Sequence, residues 1–285
     1  MKKTKQAKSN FLEWNNQVLV SSIKKIDFNI LLITILDALF YFLSGYLVIF
    51  WLQRIQAKML SFNLPTDVSV LGVERTQQLA AEAKAFYYLV VFSFILLLIA
   101  IIFLASIAKG IIWAKTTKTK ISFALISKFL VLNLIWMGFW FAAVFLASWL
   151  VEITTATKFM VIVIVTGLYF TNTLYTIFMK EQNFKSITKS IKFNFTKIKL
   201  LVTPYLIFFI FLFIISNLSA LTKLNQSVFS LLINLYGFIG INAISQFEIQ
   251  IILLVSLLVN PLFLLSFAIF RYYVSTLVLE AEKAG

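Results

Sequence analysis

Acidic side chains are scarce in this sequence, and one stands where a charge is expensive. Asp37 falls inside the apolar run ITILDALFYF. An ionisable group at membrane depth is a functional candidate by default, because hydrocarbon cannot solvate it. A carboxylate there could bind a cation or relay a proton. It could also serve as a buried acceptor paired with Asn133 or Asn172 on a neighbouring span. Asn133, Thr171, Asn172, Thr173, Asn260 and Ser266 are further polar side chains within apolar runs. Such groups join helices through hydrogen bonds worth about 0.6 kcal/mol each. Asn260 precedes Pro261, whose ring and missing N–H predict a kink that frees a carbonyl near Leu257. The chain has no Cys and no His, which removes disulfides, thiolate nucleophiles, the commonest general base and the commonest metal ligand. It also lacks a P-loop, a potassium-channel pore signature and the arginine repeat of a voltage sensor. No enzyme activity, cofactor or metal is expected.

The elements that carry these residues follow from composition. Of 285 residues 61% are hydrophobic and only 13% charged, with a mean hydropathy of +0.96, whereas a soluble domain is about a quarter charged. Each helical crossing of a bilayer needs about 20 apolar residues. Six runs meet that length: 28–52, 85–113, 129–151, 159–179, 200–221 and 249–279. They are continuous rather than alternating, which disfavours a β-barrel. The fold class expected is all-α, a polytopic transmembrane helical bundle of six spans in a single integral membrane domain, 1–285. The second and last runs are longer than a perpendicular crossing, so they must tilt or project. Lys109 and Arg271, near their inner ends, are expected to snorkel to the headgroups. After Pro65, residues 74–84 are strong helix formers that extend the second span outward. A shorter apolar run, 228–244, holds Asn234, Gly237, Gly240 and Asn242 and reads as an interfacial or re-entrant segment.

With six spans, nineteen of the 25 Lys and Arg residues fall on one side of the membrane and six on the other. The positive-inside rule then places both termini in the cytoplasm. The lysine bias accounts for most of the +14 net charge, so no nucleic-acid partner is expected. Residues 9–27 are too polar for the apolar core of a cleavable signal peptide, and the first span is expected to act as an uncleaved anchor.

The inner connection 183–199 reads NFKSITKSIKFNFTKIK. Phe184, Ile187, Ile191, Phe195 and Ile198 are spaced three or four apart, one face of a helix. Lys185, Lys189, Lys192 and Lys199 lie off that stripe, and Lys197 follows the helix core. A basic amphipathic helix of this kind lies in the headgroup plane, its Phe and Ile in the acyl boundary and its lysines on anionic lipid. Shorter basic segments with the same character precede the first and third spans.

The segment Ser186 to Phe193, followed by Lys197 and a Phe-rich span near Pro204, resembles uncharacterised prokaryotic six-span membrane proteins. These are related to the membrane domain sometimes fused to glycerophosphodiester phosphodiesterases. The motif covers about 15 residues, while the topology covers most of the chain. The resemblance implies a fold rather than an activity and brings no catalytic residues. Together these features predict a non-enzymatic inner-membrane protein with a lipid-organising or envelope-supporting role, with anionic headgroups as its partners. The alternative is a small secondary transporter or transporter subunit using Asp37 as its coupling residue and Pro261 as its hinge.

Overall fold

A computed structural model describes residues 11–61, 72–150, 153–217, 219–239, 241 and 245–283. Lys2, Lys3, Lys5, Lys8, Pro65, Gly240 and Asn242 lie outside the described residues. The elements are α1 (Phe11–Lys25), α2 (Asn29–Leu60), α3 (Val73–Thr116), α4 (Phe123–Leu150), α5 (Ile153–Glu181), α6 (Lys185–Thr196), α7 (Ile198–Ser216), α8 (Ser219–Phe238), α9 (Gln246–Leu258) and α10 (Pro261–Lys283). Five of these, α2, α3, α4, α5 and α10, carry stretches long and apolar enough to cross a membrane. The pair α6 and α7, bent by 84° at its junction, would supply a sixth if it forms one span. The helix formers at 74–84 continue α3 without a break, giving it 44 residues and a length of about 66 Å.

Helix α10 is the central strut. It packs against α1, α2, α5 and α7, and 67% of its apolar window is buried, against 17% for α3. The solvent logic is inverted. Large side chains such as Phe92, Leu96, Ile99 and Phe103 of α3 are exposed, while Asp37, Ser106, Asn133, Thr173 and Thr176 are wholly buried. That distribution suits a hydrocarbon surround, where polar groups find partners only inside the bundle.

Two runs take a form that their length alone does not give. The run 249–279 is not one helix, because α9 stops at Leu258 and α10 begins at Pro261. Proline has no N–H to donate and its ring excludes the carbonyl four residues back. Asn260 closes the break: its side-chain oxygen accepts the Leu262 N–H at 3.1 Å and its backbone N–H reaches the Leu257 carbonyl at 3.2 Å. Asn260 is thus a helix cap rather than an isolated polar group within a span. The run 228–244, in turn, belongs mostly to α8, which starts earlier and ends at Phe238. Helices α8 and α9 pack together on α2 through Ile49, Leu232, Tyr236, Ile252 and Val255.

Gly45 lets α9 and α8 approach α2. A Cβ there would lie 2.6 Å from Val255 Cγ2 and 2.8 Å from the Tyr236 hydroxyl, and that hydroxyl donates to the Phe42 carbonyl at 3.1 Å. Val255 is branched close to its backbone and cannot swing aside. Gly45→Val is therefore expected to destabilise the protein by about 1–3 kcal/mol through overpacking, whereas Gly138→Val, with nothing within 4 Å of its Cβ, should be nearly neutral. Thermal unfolding in detergent micelles checks the contrast.

Candidate functional site

Asp37 is fully buried in α2, and two cations converge on it. Lys109 Nζ of α3 donates to Asp37 Oδ1 at 2.5 Å, and Arg271 Nη1 of α10 donates to Asp37 Oδ2. The expected partners, Asn133 and Asn172, are engaged elsewhere. Asn133 donates to Ser106 Oγ at 3.0 Å and accepts from the Tyr175 hydroxyl at 2.6 Å, while Asn172 donates to the Tyr205 hydroxyl at 2.9 Å. Nor do Lys109 and Arg271 reach for headgroups. Their side chains are 15% and 8% exposed, because a buried carboxylate offers a stronger partner than a distant interface. Lys109 Nζ also lies 4.8 Å and 4.9 Å from the centroids of Phe40 and Tyr41, where ring faces stabilise a cation.

A cavity of about 170 Å³ adjoins this cluster. Its polar walls come from Lys109, Arg271, Thr171, Asn172, Tyr175 and Tyr205, and its apolar walls include Trp113, Phe208, Phe267 and Phe270. The polar walls are themselves tied down. Trp136 donates to Thr171 Oγ1 at 2.8 Å, and the Tyr205 hydroxyl lies 3.2 Å from the Leu168 carbonyl. The Thr173 and Thr176 hydroxyls donate to carbonyls one turn back in α5. Ser266 does the same in α10, to Leu262. These three close local bonds and shape no site. Among the described residues no group of three acids is placed to hold a metal ion.

At the lysine-rich end a second cluster joins α5, α6 and α10. Glu282 accepts from Lys180 at 2.8 Å and from Lys189, and Lys189 also donates to Glu181. The hydrogen bonds to Glu181 and Glu282 raise the Lys189 pKa above the usual lysine value. Lys189 is thus committed to protein carboxylates, a correction to its expected place among the headgroup lysines. Lys185, Lys192 and Lys199 are exposed and Lys197 is half-buried, and among the described residues none of the four forms an ion pair.

The partners of Asp37 had one signal in the sequence. Lys109 and Arg271 are the only basic residues inside the six apolar runs, and a lone acid in hydrocarbon requires a cation. Comparison with models of protein families, with curated proteins and with solved structures finds no match to this chain.

Removing one member of a buried ionic cluster leaves an uncompensated charge, whereas replacing the whole cluster with apolar groups does not. Asp37→Ala is expected to destabilise the protein by about 3–5 kcal/mol. The triple change Asp37→Leu, Lys109→Met, Arg271→Met should recover most of that loss in thermal unfolding.

Proposed function

We propose that this chain is a non-enzymatic, multi-pass membrane protein that organises anionic lipid at its lysine-rich face, which is the cytoplasmic one. In this reading the chain crosses six times, α9 and α10 together forming the last crossing, and both termini are inside. The interfacial segment is α6. The observation that carries the reading is the way α6 meets its surroundings. It turns 84° from α7 and buries Ser186, Ser190, Phe193 and Asn194 against the bundle. Phe184, Ile191, Phe195 and Ile198 of the apolar stripe remain exposed in part. An amphipathic helix with an open apolar stripe and unpaired lysines suits the acyl–headgroup boundary of an anionic leaflet. The absence of His and Cys from the sequence supports a role without catalysis, and α6 is the segment that resembles the prokaryotic six-span proteins.

Cation-coupled transport through Asp37 fits the geometry less well. Its carboxylate already serves two cations, and a third would enter against a net positive charge.

Each lysine near an anionic surface contributes about 1 kcal/mol. Purified full-length protein reconstituted in mixed phosphatidylcholine–phosphatidylglycerol nanodiscs should enrich phosphatidylglycerol, measured by mass spectrometry of the retained lipid. Lys185→Gln, Lys192→Gln and Lys199→Gln together should remove most of that enrichment, while Lys189→Gln should leave most of it and lower thermal stability instead. Unchanged enrichment in the triple variant contradicts the reading.

A further inference from the structure

The charges around Asp37 do not balance. One carboxylate faces two cations, and among the described residues no second acid pairs with Lys109 or Arg271. The two sides of the cluster also face different ways. Lys109 and Arg271 form part of the cavity wall and Asp37 does not, so the carboxylate sits behind the cations and the surface turned to the cavity is positive. A lysine ammonium has three N–H donors and a guanidinium five. One from each goes to Asp37, which leaves donors for another acceptor. A net positive charge enclosed by aromatic walls in an apolar surround is strongly unfavourable unless an anion joins it.

What borders the cavity says what kind of anion. Two of its walls, Tyr205 and Phe209, also border an apolar groove of about 350 Å³ between α5, the end of α6 and α7. The outer lip of that groove, at Leu206 and Phe209, is exposed on the bundle surface. A head held at Lys109 and Arg271 would thus have, beyond the shared walls Tyr205 and Phe209, an apolar groove that reaches the bundle surface.

We propose that this cavity binds the head of a singly charged anionic amphiphile, an oxyanion on an apolar chain, with the oxyanion on Lys109 and Arg271 and the chain leaving between α5 and α7. Asn172 and Thr171 supply neutral polar contacts beside the head. The site uses residues distinct from the α6 lysines, so each stands or falls alone.

The test is saturation binding of radiolabelled oleate to the full-length protein in dodecyl maltoside micelles. Competitors are dioleoylphosphatidylglycerol, which carries a phosphodiester, and methyl oleate, which is neutral. Wild type is expected to bind oleate saturably, with methyl oleate failing to compete. Competition by phosphatidylglycerol identifies a lipid phosphate as a second acceptable head, and its failure confines the site to carboxylates. Lys109→Gln leaves the Asp37–Arg271 pair intact and neutralises the cluster, and should weaken binding by at least about tenfold, the loss expected for one charge-assisted hydrogen bond. Asp37→Asn combined with Lys109→Gln restores one net positive charge on Arg271 and should recover much of that affinity, a result that mere damage to the fold would not give. Lys185→Gln with Lys192→Gln should bind oleate as wild type does. Equal competition by methyl oleate, wild-type affinity in Lys109→Gln, or a double variant no better than the single one overturns the proposal.

Discussion

A single carboxylate shared by two cations, out of reach of water, constrains the rest of this molecule. Separating Asp37 from either Lys109 or Arg271 would leave a charge in a low-dielectric interior, where an unpaired ion is several kcal/mol less stable than a paired one. The three residues come from α2, α3 and α10, so the contact fixes the rotation of three helices at once. On α3 the consequence is visible along the chain. Ile102, Ala105, Ser106 and Trp113 turn inward with Lys109, and Phe92, Leu96, Ile99 and Phe103 turn out. Satisfying the charge and exposing the apolar face are one geometric act.

The two ends of the bundle are built differently around that centre. Beside the cluster, polar side chains are bonded across α3, α4, α5 and α7 through Ser106, Asn133, Tyr175, Asn172 and Tyr205. Glu282 then draws Lys180 and Lys189 onto the end of α10. Away from it, where α8 and α9 lie on α2, cohesion rests on close packing at Gly45 and on a capping box. In that box Ser245 Oγ accepts from the Glu248 N–H and the Glu248 carboxylate accepts from the Ser245 N–H. The charged end has the charge-assisted contacts needed to hold a ligand in one pose, while the other end relies on close packing and neutral or capping hydrogen bonds.

Much of this was legible in the sequence, and the reasons for the rest are physical. The apolar runs located α2, α3, α4, α5 and α7 because length and continuity are one-dimensional properties. The spacing from Phe184 to Ile198 located α6 because helical periodicity is local. The kink at Pro261 was foreseen for the same reason, yet Asn260 turns the kink into a full break by capping the next helix. Asp37 stood out, but its partners did not. Lys109 lies 72 residues away and Arg271 lies 234 residues away, and whether each turns to a headgroup or to the core depends on helix rotation, which no local pattern encodes. Lys189 shows the same limit in reverse: its position off the stripe suggested lipid, while tertiary contact gave it Glu181 and Glu282.

The central claim is that Asp37 and Lys109 are in ionic contact within the bilayer. Magic-angle-spinning NMR measures this directly in lipid, as the dipolar coupling between a 13Cγ-labelled Asp and 15Nζ-labelled Lys, in an Asp27→Asn background that removes the Asp27–Lys118 pair. The account predicts strong dephasing for Asp37, corresponding to a carbon–nitrogen separation under about 4 Å. Dephasing that is absent, or that places the nearest lysine nitrogen beyond about 6 Å, would contradict it.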